Sequence, residues 1–410
     1  MVQFVRGSNL PRVKVTNRSA ILRMIYHYGP IKRSDIAQVL GLTMPTITTN
    51  VSDMIAEGIV AETLHMESVS DGPGRKARLV DIVPESRHFV GVEIQGYRRA
   101  LCVLDFRGRT LHAEVDGQPL DGYEENLERV RAMFERALKK TGLTPPEIDG
   151  VGVCVPGLVD RERGVLDTLP SYKWSNRDIR KDVAALIGYA GPISVENNAC
   201  ARAYGARLFQ WNKLSGAWSF AYLLVSRGIA CPLVLNSGEI SGSVVGAGEI
   251  GHMIMEPDGL PCSCGNRGCL EAYSSDTAVT ARCAEALSRG RAPILRRLAA
   301  DPARPTMGEI VAAQSQGDED VAAIVREALD RLGVALANIN NFACPQIVVI
   351  DGALFRWEEN RRYLLEVNHR NLCNVIHTDT EYLFVDPDET SGARGAAARA
   401  IGEHMEPSIQ

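Results

Sequence analysis

Three cysteines stand close together in the stretch GLPCSCGNRGCLEAY, and a histidine precedes them in the same run. Cys262, Cys264 and Cys269 fall within eight positions of a chain that has ten cysteines among 410 residues. With His252 they supply three thiolates and one imidazole, the donor set of a closed structural zinc site, about one ion per chain. A redox pair, more often spaced C-x-x-C, and a chance cluster are the alternatives. The neighbouring glycines let the loop fold back so that the sulfurs converge: Gly259, Gly265 and Gly268.

Short polar side chains near the amino terminus could do a second kind of chemistry, hydrogen bonding to DNA. Thr43 is placed to cap a helix, and Pro45 is tolerated in its first turn. Short side chains on the outside of that helix can approach base edges, while basic side chains further on can contact phosphates. A solvated helical face is the alternative. The predicted DNA-binding residues are Thr43, Thr46, Thr48, Thr49, Asn50, Arg75, Lys76 and Arg78.

The elements that would position these residues follow a helix-turn-helix pattern. A helical stretch ends at Gly29, and MPTITTNVSDMIAEG gives a third helix. Between them RSDIAQVLG gives a second helix, whose inward-facing residues are predicted to be Ile36, Ala37, Val39 and Leu40. Two strand-like runs, IVAETLHM and KARLVDIV, follow with a flexible charged link between them. The pattern predicts a winged helix-turn-helix over residues 1–83.

Charge and hydropathy narrow the class of protein. The chain is 45% hydrophobic and 23% charged, as in ordinary globular proteins, and its net charge is −5. Residues 1–83 nevertheless hold ten Lys and Arg against seven Asp and Glu, so the basic part is the predicted DNA-binding part. Since no apolar run is long enough to span a bilayer and the start lacks a signal-peptide core, we expect a cytoplasmic protein without a membrane partner.

Beyond about residue 84 the chain changes character. Strand-like runs, HFVGVEI, ALCVLDF, DGVGVCV, FAYLLVS and QIVVIDG, alternate with longer amphipathic helical stretches. Alternation of this kind is typical of an α/β architecture. The fold class is therefore predicted as α/β, with a winged helix-turn-helix in front.

The run GEIGHM...C.CG..GCLE resembles the zinc signature of the ROK family, which comprises repressors and sugar kinases. VCVPGLVD, VENNACARAYGA and SGARGAAARA resemble further motifs of that family, and a leading winged helix is typical of its repressor branch. The resemblance implies a two-lobed, actin-like (ribonuclease-H-like) sugar-kinase fold. It places lobe 1 at residues 84–195 and 385–410, and lobe 2, with the zinc loop, at 196–384.

The motifs by which the family's kinases handle ATP are altered. The D-x-G-G-T loop reads Glu93-Ile94-Gln95-Gly96-Tyr97, and the G-T-G-x-G loop reads Ser226-Arg227-Gly228-Ile229-Ala230. The glycine-rich adenosine stretch is reduced to Asp351-Gly352-Ala353. The aspartate that serves as general base in the kinases is Asn198, whose amide has no useful basicity near neutral pH. We therefore expect no enzyme activity and no catalytic residue.

The residues that hold sugar hydroxyls in the family are largely kept. The family's residue is present at four positions, Asn197, Glu249, His252 and Glu271. At a fifth, the neutral amide of Asn198 can still donate and accept hydrogen bonds. The family's P-N-x-x-W loop reads Pro170-Ser171-Tyr172-Lys173-Trp174, so Ser171 replaces its asparagine. The resemblance thus implies the sugar-binding residues Ser171, Asn197, Asn198, Glu249, His252 and Glu271.

These features together predict a sugar-responsive transcriptional regulator, in the form of a repressor of carbohydrate genes. Its partners would be double-stranded operator DNA, a sugar or sugar derivative, and further copies of itself in a homodimer or homotetramer. Two alternatives stay open at this point. One is an active ATP-dependent sugar kinase with an accessory DNA-binding domain, and the other is a regulator controlled by a protein partner.

Overall fold

The computed structural model describes residues 10–63, 78–214, 216–235, 245–373, 379–386 and 388–406. The chain divides into two compact units. The first unit comprises Met1–Cys154, Asp178–Glu196 and Gly392–Gln410, and the second comprises Val155–Arg177 and Asn197–Ser391. Val155–Arg177, which the family resemblance groups with lobe 1, thus lies in the second unit. The lobe bounds themselves stay a prediction.

Helices and strands alternate along most of the described chain. The helices are α1 (Leu10–Tyr28), α2 (Arg33–Leu40), α3 (Met44–Ala56), α4 (Tyr123–Thr141), α5 (Ile179–Ile187), α6 (Asn198–Phe209), α7 (Trp211–Leu214), α8 (Glu271–Ser274), α9 (Asp276–Ser288), α10 (Pro293–Leu298), α11 (Met307–Ser315), α12 (Glu319–Ala343), α13 (Glu358–Asn371) and α14 (Ser391–Met405). The strands are β1 (Ile31–Lys32), β2 (Val60–Thr63), β3 (Leu79–Ile82), β4 (His88–Gln95), β5 (Arg98–Asp105), β6 (Thr110–Asp116), β7 (Gly150–Val155), β8 (Leu158–Asp160), β9 (Val165–Leu169), β10 (Trp174–Asp178), β11 (Ile193–Asn197), β12 (Ser219–Val225), β13 (Ile229–Ala230), β14 (Leu233–Leu235), β15 (Ile347–Gly352) and β16 (Glu381–Val385). Over the residues that the structure describes, none of these helices is both long and apolar enough to cross a bilayer.

The amino-terminal elements form a winged helix-turn-helix, as predicted. Three helices, α1 to α3, accompany a three-stranded antiparallel sheet in the order β1-β3-β2. Ile31 lies opposite Val80, and Val60 lies opposite Ile82. The wing strands are shorter than predicted within the described residues. The segment between them, residues 64–77, lies outside the described part of the chain.

The turn between α2 and α3 is set by its local sequence. Gly41 ends α2 with a φ of 63°, a left-handed conformation that glycine adopts without strain. Thr43 begins α3 as predicted, because its side chain accepts a hydrogen bond from the Thr46 amide at 3.4 Å. The prediction that Val39 faces inward is wrong: it is 65% exposed, and the eight-residue α2 buries only Ile36.

The sheet of the first unit has the strand order β11-β7-β4-β5-β6. Strand β4 pairs antiparallel with β5 and parallel with β7. Helix α14 packs directly on the two parallel strands. A Cβ atom on Gly91 would lie 1.9 Å from the Ala393 carbonyl oxygen, and one on Gly152 would lie 1.8 Å from that of Ala396. Glycine is therefore required at both positions for the helix to approach this closely.

The sheet of the second unit has the order β13-β12-β15-β16, with β14 also paired to β12. Strands β12, β15 and β16 are parallel, which fits the predicted α/β pattern. The long helix α12 covers one face of this sheet through an apolar core that includes Leu332, Leu336, Val348 and Ile350. The same unit holds a separate three-stranded sheet, in the order β10-β9-β8.

Candidate functional site

The four predicted metal ligands lie together in the second unit. One ligand atom from each of His252, Cys262, Cys264 and Cys269 lies within 4.8 Å of the others. His252 Nδ1 is 3.7 Å from Cys262 Sγ, and Cys264 Sγ is 3.8 Å from Cys269 Sγ. A tetrahedral zinc ion with Zn–S bonds of about 2.3 Å separates two sulfurs by about 3.8 Å. The cluster could therefore hold a metal ion, and its spacing fits zinc.

Backbone hydrogen bonds fold the metal loop back on itself. The Met255 amide donates to the Gly268 carbonyl at 2.8 Å, and the Cys262 amide donates to the Asn266 carbonyl at 2.9 Å. Gly268 has a φ of 76°, and a Cβ atom there would lie 1.7 Å from the Glu256 carbonyl oxygen. Only glycine fits this position, so the glycine before Cys269 allows the loop to bring the last cysteine to the first two.

Without a cation, two of the three thiols favour their protonated form. Burial raises the pKa of Cys262, and burial together with the neighbouring thiols raises the pKa of Cys269 to about 12. Burial also opposes ionisation of Cys264, but hydrogen bonds from the Asn266 backbone and from the other thiols lower its pKa overall. Three thiolates are stable together only beside a positive charge, which a metal ion would supply.

Two predicted sugar-binding carboxylates flank the metal loop. Glu249 directly precedes the short 3₁₀ turn that carries His252, and Glu271 begins α8 just after Cys269. Glu271 Oε2 lies against the backbone: a Cβ atom on Gly228 would be 2.9 Å from it. Burial and the charge of Glu271 raise the pKa of Glu249 to about 7. The two carboxylates therefore share one environment, beside the metal ligands.

Asn197 and Asn198 start helix α6 of the same unit. The Asn197 side chain caps the helix, accepting from the Ala199 amide at 2.8 Å, and its Nδ2 donates to the Gly157 carbonyl at 2.9 Å. Its amide thus holds the loop after β7 against α6. Asn198 is half-buried in the first turn of α6, where helix dipole and backbone amides favour acceptor groups.

Ser171 reaches this neighbourhood through the residue that follows it. It lies exposed in a short 3₁₀ turn, Pro170–Tyr172. Arg227 Nη1 donates to the Tyr172 hydroxyl at 2.8 Å, and Arg227 immediately precedes Gly228, which packs on Glu271. The structure therefore links the Ser171 turn to the loop that contacts Glu271, although no direct contact joins Ser171 to a carboxylate among the described hydrogen bonds.

The threonines of α3 form the exposed part of the predicted DNA-binding surface. Thr48 and Thr49 are exposed, and Thr43 and Thr46 bond to each other through their hydroxyls at 2.9 Å. Buried Ile47, Val51 and Met54 fix the opposite face of the helix. Helix α3 thus presents short hydroxyl side chains outward from its amino-terminal half.

Two predicted DNA contacts look different in the structure. Asn50 is 4% exposed, and its Nδ2 donates to the Thr46 carbonyl at 2.8 Å, so it turns into the helix and away from the exposed face. The expectation that it lies outside with Thr48 is corrected, because it follows the side of the helix that carries Ile47 and Val51. Arg78 is exposed but donates to Glu62 Oε2 at 2.5 Å. Arg75 and Lys76 lie outside the described residues.

The first altered phosphate loop carries an internal ion pair. Glu93 is fully buried; Gln95 Nε2 donates to its Oε1 at 2.5 Å and Arg98 Nη2 donates to its Oε2 at 2.9 Å. Both oxygens of the carboxylate therefore have partners from the same strand pair. In the family's kinases, the aspartate at this position helps to hold magnesium.

The altered adenosine stretch carries a second buried pair. Arg202 Nε lies 3.5 Å from Asp351 Oδ2, and the Tyr222 hydroxyl donates to the same oxygen at 2.9 Å. Arg202 and Asp351 are less than a tenth exposed. A charged arginine in a small-residue helix start, NACARAYGA, was the available signal, but the sequence did not reveal its partner. The roles of Arg98 and Tyr172 were missed for the same reason.

These features define a winged helix-turn-helix protein whose second part has a kinase-like α/β fold and a Cys/His metal loop. The chain belongs to the ROK family, whose model matches residues 89–403. A crystal structure of a ROK family transcriptional regulator, a homologue of the E. coli MLC protein, has the same fold, with a TM-score of 0.79 and 22% identity. It covers 96% of this chain and 97% of its own, so the similarity includes the winged helix.

Curated relatives match over most of the sequence. A xylose repressor of Caldicellulosiruptor bescii is 26% identical over 341 residues, which are 82% of this chain and 83% of that protein. An N-acetylglucosamine repressor of Escherichia coli O157:H7 is 27% identical over 361 residues, 84% of this chain and 82% of its own. The predicted family and fold class are therefore confirmed.

Proposed function

We propose that this chain is a sugar-responsive transcriptional repressor without phosphoryl-transfer activity. The observation that carries the proposal is the combination of an exposed threonine face on α3 with carboxylates Glu249 and Glu271 beside a metal cluster. The internal pairing of Glu93 supports sensing over catalysis. The similarity to repressors named for xylose and N-acetylglucosamine supports carbohydrate genes as targets.

The proposed DNA partner is a double-stranded operator. Helix α3 would enter the major groove, with Thr48 and Thr49 nearest the bases, while the wing residues Arg75, Lys76 and Arg78 would contact phosphates. A single winged helix contacts too few base pairs to select one site in a genome. The protein would therefore act in the cytoplasm as a homodimer or homotetramer on an approximate palindrome.

The proposed metal is a structural Zn²⁺ ion held by His252, Cys262, Cys264 and Cys269. When bound, it would supply positive charge to the thiolates and no reactive water, because four protein donors complete its coordination. His252 Nδ1 faces the thiols, which leaves the other ring nitrogen for a sugar hydroxyl. The proposed sugar contacts are Ser171, Asn197, Asn198, Glu249, His252 and Glu271.

Two measurements test this function. DNA ligands are first selected from a random pool, and thermal-shift screening against xylose, N-acetylglucosamine and other sugars then finds a ligand, since a ligand of the folded state raises the melting temperature. We expect the selected DNA to be released, or bound more tightly, when that sugar is added. A protein that binds no DNA sequence selectively, or that responds to no sugar, contradicts the proposal.

Two variants separate the surfaces, and each is the control for the other. Thr48→Ala should weaken DNA binding by roughly threefold to tenfold, the effect of one lost hydrogen bond, without changing the thermal shift given by sugar. Glu249→Gln should keep DNA binding and need roughly tenfold to a hundredfold more sugar for its response. If Glu249→Gln responds normally, the assigned pocket is not the sensor.

A further inference from the structure

The winged helix is attached to the rest of the first unit by more than its connecting chain. Only residues 83–87 join β3 to β4, and Pro84–Ser86 of these form a 3₁₀ turn. The Val83 amide donates to the Ile59 carbonyl at 2.9 Å, and the Phe106 amide donates to the Pro84 carbonyl at 2.9 Å. The connection is thus short and hydrogen-bonded on both sides, unlike a flexible tether.

Helix α1 also docks on the carboxyl end of α14. The buried Ser19 hydroxyl donates to the Met405 carbonyl, and Arg23 pairs with Glu406 near the surface. Tyr26 is 5% exposed, and its ring centroid is 5.9 Å from that of Phe106. One face of the first winged-helix element is therefore covered by residues from the kinase-like part of the same unit.

The turn between β5 and β6 supplies the central contact. Arg107 donates to the Tyr26 carbonyl at the end of α1 and forms an ion pair with Asp81 on wing strand β3. The turn is held from below, because Asp105 Oδ1 accepts from the Arg107 and Arg109 amides at 2.9 Å each. A single side chain on a hydrogen-bonded turn thus contacts two different elements of the winged helix.

Phe106, next to Arg107, extends this contact into an aromatic cluster of the core. The fully buried rings of Phe89 and Phe106 lie 5.8 Å apart between centroids, and His404 of α14 meets both edge-on at 5.4 and 5.6 Å. Burial lowers the pKa of His404, which favours the uncharged ring in this cluster. Phe106 therefore couples Tyr26 of the winged helix to the strand β4 through packed aromatic side chains.

We propose that Arg107 is a positioning residue for operator recognition: through the docking seam it fixes the angle of the winged helix on the kinase-like part of the first unit. The docking seam is formed by Ser19, Arg23, Tyr26, Phe106, Arg107 and Met405. In a protein that pairs through its kinase-like parts, a fixed angle sets the distance between two recognition helices. The inference rests on the proposed DNA-binding function and adds that half-site spacing is read through Arg107.

The test uses the full-length protein and synthetic duplexes built from the half-site found by selection. One duplex set carries a single half-site, and another carries two half-sites whose separation varies in steps of half a helical turn. Wild type should prefer its best spacing over one offset by half a turn by about tenfold or more, since half-sites must lie on one face of the duplex. Arg107→Gln should keep single-half-site affinity within about twofold and reduce the spacing preference to about threefold or less.

Matched variants distinguish positioning from general damage. Arg109→Gln, an exposed residue of the same turn, should behave as wild type, and Arg107→Lys should restore part of the spacing preference. Arg23→Gln weakens the seam from the surface, where folding is not at risk, and should lower the preference in the same direction. An unchanged spacing preference in Arg107→Gln, or a loss of single-half-site affinity as large as the loss of preference, overturns the proposal. Absence of any selective DNA binding by wild type overturns the proposed function instead.

Discussion

Charged side chains have different partners in the metal loop and in the altered phosphate loops. In the metal loop, backbone hydrogen bonds such as that from the Met255 amide to the Gly268 carbonyl stabilise the fold. Burial and the charge of Glu271 raise the pKa of Glu249 there to about 7. In the phosphate loops, Glu93 is bonded to Gln95 and Arg98 within the strand pair. Under the proposed function, charge in the first region meets a sugar, whereas charge in the second is paired within the fold.

The difference shows that the altered stretches neutralise their charges within the fold. Asp351 and Arg202 form a buried pair at the end of β15, supported by the Tyr222 hydroxyl. A buried polar group needs a hydrogen-bond partner, and here the partners are other side chains of the same chain. Internal pairs of this kind neutralise buried charge within the fold, so these two stretches need no nucleotide to stabilise them.

Of the changes that test this contrast, loss of the metal should have the largest effect on stability and sugar binding. Structural zinc contributes about 10–16 kcal/mol of apparent binding free energy in small zinc-finger peptides at neutral pH. Cys264→Ser should therefore lose the zinc, lower the melting temperature and abolish sugar binding, as measured by elemental analysis and calorimetry. Cys344→Ser, an exposed cysteine outside the cluster, is the control and should do none of this. A metal-free wild-type protein that still binds sugar contradicts the prediction.

Breaking the buried pair in the phosphate region should have the next largest effect. Arg202→Met removes the cation beside the buried Asp351 carboxylate and leaves it the Tyr222 hydroxyl, which should cost about 3–5 kcal/mol in the free energy of unfolding. Adding Asp351→Asn removes that charge, so the double variant should be more stable than Arg202→Met alone. Urea denaturation of the three proteins measures both steps. If the double variant is the least stable of the three, the charges of Arg202 and Asp351 do not neutralise each other.

A carboxylate of the metal loop should affect binding more than folding. Glu249→Gln removes a charged hydrogen-bond acceptor and should weaken sugar binding by about 1.5–3 kcal/mol, roughly tenfold to a hundredfold. Its free energy of unfolding should not fall, since a buried carboxylate with a raised pKa is already disfavoured as an anion. Glu256→Gln, an exposed glutamate of the same loop, is the matched control in calorimetric titration. Equal affinities in the two variants would remove Glu249 from the sensor.

The sequence predicts features that depend on neighbouring residues better than those that depend on distant ones. The winged helix, the cap at Thr43 and the metal ligands follow from local spacing, and the structure has all three. The inward turn of Asn50 also fits the local helical period, because Asn50 lies three residues after Ile47 and four before Met54; the polarity of its side chain, and not its spacing, led to the expectation of an exposed position.

Long-range pairs were out of reach for a physical reason. Arg202 and Asp351 are 149 positions apart, and Arg107 meets Tyr26 across 81 positions. Nothing in the local pattern of either partner specifies the other, because the two partners of each pair lie on different elements that meet only in the folded chain. The docking seam and the internal ion pairs therefore needed the structure, although an arginine among small residues was a hint.

The smallest expected effect is that of restoring the general base. Asn198→Asp returns the carboxylate that removes a proton from the sugar hydroxyl in the family's kinases, at the start of α6. Phosphoryl transfer, however, depends mostly on positioning and on metal and backbone groups around the phosphates. Here the Glu93 carboxylate already accepts a hydrogen bond from Arg98. The second phosphate loop, which is bare backbone in the kinases, carries the Arg227 side chain, and that side chain donates to the Tyr172 hydroxyl. We therefore expect no ATP-dependent sugar phosphorylation in wild type or in Asn198→Asp, measured by release of ADP with the sugar found in the screen. Clear turnover in either protein would show that the phosphate region still works, and the contrast between the two regions would fail.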